Sequence, residues 1–396
     1  MTGIRRTAAA AALLLALPLS VVAAAPALAT PTAPVPATAP ATATVPAGVH
    51  VDLPRPTGPH AVGREILHLV DQDRPDPWVP SAGPRRLMVS MYYPAKAGTG
   101  GPAPYMTPEA ARLMLDGKLP GNTIPTEAVT GTGTWAESDA HPEHGRYPLV
   151  LLSPGFTMPR TELTSLAEDL ASRGYVVALV DHTYENTGTT FPDGRTLPCA
   201  ICGTFPPGGP EAVDASRAKD MSFVVDRLTA HPHPAWRYAR MIDADRIGMA
   251  GHSIGGSAAI PALLTDDRIQ AGVNLDGTMD YKVPDTGLDG KPFMMIGHPL
   301  GGGHEDPTWT DAWAKLDGWK RWLTVAGSNH GTFTDNPLFF EKLGLPQPPG
   351  TTITAERGVQ LTREYVAAFF DLQLKGIDQP ILDGPTPDNP EIGFHP

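Results

Sequence analysis

A serine framed by glycines, Gly251-His252-Ser253-Ile254-Gly255, is the pattern in this chain best suited to covalent chemistry. A serine hydroxyl is a weak nucleophile at neutral pH. It needs a base within hydrogen-bond reach and a carboxylate that orients the base. Glycines two places before and after it let a strand and a helix meet in a turn tight enough to project the hydroxyl beyond a sheet. With 41 glycines among 396 residues, such a pattern also arises by chance, so its flanks must carry the argument. Arg246-Ile247-Gly248-Met249-Ala250 has the apolar character of a buried strand, and Gly255-Gly256-Ser257-Ala258-Ala259 opens a helix with small residues. His298-Pro299-Leu300-Gly301 repeats the outline with proline in the serine slot, so it offers no rival nucleophile.

The partners follow in the chain order Ser, Asp, His. Asp276 ends the apolar run Gly272-Val273-Asn274-Leu275, and His330 lies in Gly327-Ser328-Asn329-His330-Gly331 just after another apolar run. A strand-end aspartate more often caps a turn, and a loop histidine is more often merely solvated. Three such residues in order at three strand ends make Asp276 the candidate acid and His330 the candidate base.

Positioning those ends requires a sheet. Apolar runs at 64–70, 87–93, 147–152, 175–180, 246–250, 271–275, 293–296 and 323–326 predict eight strands, the first two an antiparallel pair. Helical patterns fall at 161–173, 211–228 and 355–375, with Gly174 and Gly376 as stops. Strands alternating with helices predict an α/β fold, a doubly wound and mostly parallel sheet covered on both faces. Such sheets bind ligands beyond the carboxyl ends of their strands.

The N-terminus sets the expected compartment. Arg5-Arg6, an apolar run over 8–25 and Ala27-Leu28-Ala29 have the order of a secretory signal over 1–29. Residues 30–48, almost all Pro, Ala, Thr and Val, predict an extended linker, leaving 49–396 as one catalytic domain. No later apolar stretch is long enough for a transmembrane anchor. The formal charge of −12, from 30 basic and 42 acidic residues, becomes about −14 without Arg5 and Arg6 and disfavours nucleic acid as a partner. In an oxidising compartment Cys199 and Cys202, in a loop flanked by Pro198 and Gly203, are expected to form a local disulfide. They are too few for a structural zinc site, and the proline inside His141-Pro142-Glu143-His144 argues against ligation there, so no metal or other cofactor is expected. Trp309, Trp313, Trp319 and Trp322 either pack beneath a cap helix or form a surface that touches lipid or lines an acyl pocket.

The Ser253, Asp276 and His330 spacing resembles the platelet-activating factor acetylhydrolase and lipoprotein-associated phospholipase A2 group of α/β-hydrolases. So do Met91-Tyr92-Tyr93-Pro94, Pro154-Gly155-Phe156, Arg173-Gly174-Tyr175-Val176-Val177, Asp181-His182 and Phe369-Phe370-Asp371, so the likeness spans most of 60–376. It implies a nucleophile at Ser253, a base at His330 and an acid at Asp276, after the sixth strand instead of the more usual seventh. It also implies an oxyanion hole from the backbone N–H groups of Phe156 and Ile254, although Ser153-Pro154-Gly155 replaces the group's usual H-G-x turn. The implied substrate is a glycerophospholipid with a short or oxidised acyl chain, cleaved without calcium, and contact with a lipid interface is expected to be at most transient. The competing reading is a cutinase-like polyesterase with its acid after the seventh strand, where Glu305 and Asp306 stand. A peptidase and a non-catalytic binding protein on the same fold are further alternatives.

Overall fold

Successive residues of a strand point to opposite faces of its sheet, and the central apolar runs build two separate cores in this way. The computed structural model describes residues 49–300 and 306–396, so the expected signal and linker lie outside the described residues. In the strand Tyr147–Ser153, Leu149 and Leu151 enter one core while Val150 and Leu152 enter the other. Phe293 and Met295 alternate with Met294 and Ile296 in the same manner. Strands apolar on both faces are what a sheet covered on both sides needs.

The eight expected strands are all present: β1 Ala61–Pro75, β2 Pro84–Ala95, β3 Tyr147–Ser153, β4 Val176–His182, β5 Ile242–His252, β6 Ile269–Leu275, β7 Phe293–Gly297 and β8 Lys320–Val325. They pair in the order β8-β7-β6-β5-β3-β4-β2-β1, and short strands at 392–394, 136–138 and 101–102 extend the two edges. From β4 through β8 the pairing is parallel. β2 runs antiparallel to both β1 and β4.

The helices are α1 Pro108–Lys118, α2 Thr164–Ser172, α3 Gly209–Thr229, α4 Ile254–Ser257, α5 Ala259–Thr265, α6 Pro307–Lys315 and α7 Ala355–Lys375, together with two shorter ones at 127–130 and 336–342. Met221, Val224 and Leu228 of α3 cover one face of the sheet, and Leu166 and Leu170 of α2 with Tyr365 and Phe369 of α7 cover the other. α2 starts three residues later than its apolar stripe predicts, because Arg160–Leu163 forms a 3-10 turn after Pro159. Cys199 and Cys202 are joined in a disulfide, as expected, with their Cα atoms 5.7 Å apart. None of the described helices is long and apolar enough to cross a membrane. The described residues belong to one compact unit.

Candidate active site

Ser253 sits where β5 turns into α4, with φ 55° and ψ −128°. A side chain other than glycine rarely adopts a positive φ, and such a residue costs about 1–3 kcal/mol unless its surroundings enforce it. Here the enforcement is steric. A Cβ on Gly251 would meet the Gly255 backbone at 2.2 Å, and one on Gly255 would meet the Ser153 carbonyl oxygen at 2.2 Å. The Ser253 N–H donates to the Leu275 carbonyl at 2.8 Å, which ties the turn to the end of β6.

The residue after Leu275 is Asp276, also at positive φ (60°), with its N–H on the Ile296 carbonyl of β7. Its carboxylate accepts from His330 Nδ1 at 2.6 Å, and His330 Nε2 lies 3.1 Å from Ser253 Oγ. The three residues named from the sequence therefore form one continuous hydrogen-bonded chain. It suits proton transfer from hydroxyl to imidazole, with the resulting imidazolium held by the carboxylate.

His298 enters the same cluster, and sequence reasoning missed it. Its backbone N–H reaches Asp276 Oδ1 at 2.7 Å, and its Nδ1 lies 2.8 Å and 2.7 Å from the two carboxylate oxygens. Burial alone would raise the Asp276 carboxyl, but the His298 and His330 hydrogen bonds outweigh it and hold the group below its ordinary value. The bond to Asp276 raises His298 against the opposing effect of burial. The available signal was its place directly after β7, at the carboxyl end of a central strand. Of the carboxylates that follow β7, Glu305 lies outside the described residues. Asp306 caps α6 by accepting from Thr308 N at 2.8 Å and makes no bond to His330.

His252 lies fully buried beneath the base. Its Nε2 donates to the His330 carbonyl at 2.7 Å, and burial, then the nearby His330, pushes its pKa down to about 3. A neutral ring there braces the base loop without adding charge.

Phe156 and Ile254 are where the resemblance puts the oxyanion donors. The Ile254 N–H opens α4, where a helix has no internal acceptor, and neither N–H has a partner among the described residues. The departure from the H-G-x turn is built into a buried ionic network. Arg217 donates through Nη1 to the Pro154 carbonyl and to Ser153 Oγ (3.1 Å), and through Nε to Glu185 (2.7 Å). His182 Nε2 lies 3.0 Å from Ser153 Oγ while its Nδ1 faces Asp220 at 2.8 Å. Arg85 closes the network with bonds to Asp76, Glu185 and Asp220. Asp181-His182 was legible only as a shared stretch, since nothing in its spacing pairs it with Ser153.

Two cavities flank His330. One of about 440 Å³ contains Ser253, Phe156 and Ile254 and is walled by Phe205, Trp309 and Trp322. Phe205 stacks on Phe156 with ring centroids 4.6 Å apart, just past the disulfide. The other, about 640 Å³, wraps the 327–331 loop and reaches Lys118, Asn336 and Phe340. The four tryptophans do not form one group. Trp309 and Trp322 are core residues packed edge to face that also line the first cavity, whereas Trp319 packs on Phe369. Among the described residues, two groups bring donor atoms within metal-binding range, Asp276 with His298 and His330, and His182 with Glu185 and Asp220. In the first the donors already bond one another, and in the second Arg85 and Arg217 supply the positive charge.

The strand order, with a serine on the turn after β5, defines an α/β-hydrolase. The family model for platelet-activating factor acetylhydrolase, isoform II, matches residues 47–193 and 236–373, and the chain belongs to that family of carboxylic ester hydrolases. A probable 1-alkyl-2-acetylglycerophosphocholine esterase of Arthroderma benhamiae is 30% identical over 375 residues, 86% of this chain and 93% of the relative. A ferulic acid esterase structure from Streptomyces cinnamoneus is 43% identical with a TM-score of 0.79, covering 87% of this chain and 99% of the other. A bis(hydroxyethyl) terephthalate hydrolase of Streptomyces coelicolor is 28% identical over 201 residues, 50% of this chain and 54% of the relative.

Proposed function

We propose that this protein is a secreted serine esterase that cleaves esters of planar aromatic acids through an acyl-enzyme on Ser253. The observation that carries the proposal is the Ser253–His330–Asp276 chain, at 3.1 Å and 2.6 Å, opening on a cavity walled by Phe156, Phe205, Trp309 and Trp322. His330 takes the Ser253 proton as Oγ attacks the ester carbonyl. The N–H groups of Phe156 and Ile254 receive the oxyanion, and His330 returns the proton to the departing alcohol. Water then enters by the same route and releases the acid. Because His330 must reach the leaving oxygen, the cavity around its own loop suits the alcohol, and the cavity holding the oxyanion donors suits the acyl group. Stacked and edge-on rings favour a flat aromatic acid, and the likeness to a ferulic acid esterase supports that choice.

A second reading keeps the family's substrate, a short-acyl glycerophospholipid, with its lysophospholipid portion in the 640 Å³ cavity. It is favoured by the volume on the alcohol side and by the Arthroderma relative. The cutinase-like reading has less support, since its acid position holds His298 and a helix cap.

The test is a comparison of kcat/KM on ethyl ferulate, a p-nitrophenyl series from acetate to palmitate, and a short-acyl phosphatidylcholine, each with and without EDTA. Ethyl ferulate should be the best substrate, EDTA should have no effect, and Ser253→Ala should abolish turnover. Phe205→Ala should raise KM for ethyl ferulate about three- to tenfold, one aromatic contact's worth, and leave p-nitrophenyl acetate little changed. A preference for the phospholipid would replace the aromatic reading with the second one.

A further inference from the structure

A third cavity, about 360 Å³, lies where β1 and β2 meet the Arg160 turn and the start of α1. That volume is within the roughly 300–1,000 Å³ of small-molecule sites. It shares no lining residue with the two cavities beside Ser253.

Its distinctive group is Arg64. The residue is 6% exposed, yet its side chain donates to a neutral acceptor, the Pro104 carbonyl oxygen at 2.6 Å, and no described carboxylate pairs with it. The buried arginines elsewhere in this half of the sheet are compensated, Arg85 by Asp220, Arg217 by Glu185, and Arg160 by Asp181. Arg160 and Asp181 line this same cavity and cancel each other, so Arg64 leaves it with one net positive charge. Burying a guanidinium without a counter-charge is costly, and a guanidinium's fork of N–H donors matches a carboxylate with two parallel bonds.

Two further features point to an anion. Thr161 Oγ1 is enclosed without a partner. The 11-residue helix α1 begins at the rim, where Thr107, which caps the Ala110 N–H, and Ala110 line the cavity, so the positive end of its dipole lies beside it. The acid of that first turn, Glu109, is instead paired with Arg112 at the surface. The apolar part of the wall is Met88, Met106 and Phe191 inside and Ile66, 48% exposed, at the rim, beside the hydroxyl-bearing Ser90, Tyr105 and Thr190.

We propose that this cavity is a second ligand site that takes a small organic monocarboxylate, with the carboxylate on Arg64 and an apolar body against Met88, Met106 and Phe191. Esterase turnover releases acids of this class, so the site is placed to sense or store product apart from the cavity where it forms.

Isothermal titration of the full chain with trans-cinnamate tests the proposal. The wild type should show a binding event that weakens about tenfold or more in Arg64→Met, as expected when a charged hydrogen bond is lost. Ile66→Trp, which plugs the rim without touching the buried charge, should have the same effect, and both variants should keep wild-type hydrolysis of p-nitrophenyl acetate. Cinnamyl alcohol, the neutral counterpart, should bind at least about tenfold more weakly. Cinnamate affinity unchanged in both variants would put all binding in the catalytic cavity and overturn the proposal. Inorganic phosphate binding as tightly as cinnamate would overturn the apolar half of it.

Discussion

Asp276 accepts from two histidines at once, and at the residue scale this sharing is the least expected feature of the site. His330 has its ring nitrogens on Asp276 and Ser253, while His298 bonds the same carboxylate from the side. Asp276→Asn should lower kcat about 10³- to 10⁴-fold, as expected when the base loses its orienting carboxylate. Asp306→Asn should change it less than about twofold, since asparagine caps a helix as well as aspartate does. Steady-state kinetics on one ester decide between them, and the reverse ranking would move the acid to the loop after β7. The shared bond also sets a pH dependence of stability. His298 is raised in the folded protein, so the stability its charge contributes is complete below about pH 6.5, the unfolded value. It is lost as pH rises through the raised value. The Tm difference between wild type and His298→Gln should therefore shrink with rising pH, and a difference that grew from pH 6 to 9 would contradict the assignment.

At the scale of elements, the turn from β3 to Phe156 is held from below by side chains on α3 and at the end of β4. Arg217 fixes the Pro154 carbonyl, and His182 fixes the Ser153 hydroxyl. Together they can aim the Phe156 N–H without the glycine-rich turn common in the family. Loss of one oxyanion donor typically costs about 100- to 1000-fold in rate. Arg217→Met together with Glu185→Gln removes the pair without leaving a buried charge alone. Its kcat should fall about 100-fold with KM little changed, in protein whose circular dichroism remains native. A rise in KM at constant kcat would mean that the network shapes ground-state binding instead. The strands and long helices that carry these residues were legible because their apolar runs alternate or recur with the right period. The 3-10 start of α2 was not, since the turn that follows Pro159 lies within a stripe that still looks helical.

For the whole molecule, the two cysteines and the N-terminal pattern point to the same compartment. The Cys199–Cys202 disulfide leads directly to the segment bearing Phe205, so an oxidising environment would help hold the wall of the 440 Å³ cavity. If the chain is exported as its first 29 residues imply, N-terminal sequencing of protein from culture supernatant should begin at Thr30. A start at Met1 would contradict export by that signal.

The sequence by itself determined the order and type of the main strands and the turn that carries Ser253. It also offered Asp276 and His330 as partners, with Glu305 and Asp306 as the competing acids, because periodicity and chain order are local or one-dimensional properties. Only the tertiary structure decided what meets across strands. His298 joins Asp276 from 22 residues away, Arg217 reaches the Ser153 turn from 64 residues away, and Arg64 is buried without a carboxylate. Such encounters depend on strand order and on how each helix lies over the sheet. No spacing in the chain encodes a contact made by that packing, so the serine turn could be read directly whereas the groups around it and the third cavity could not.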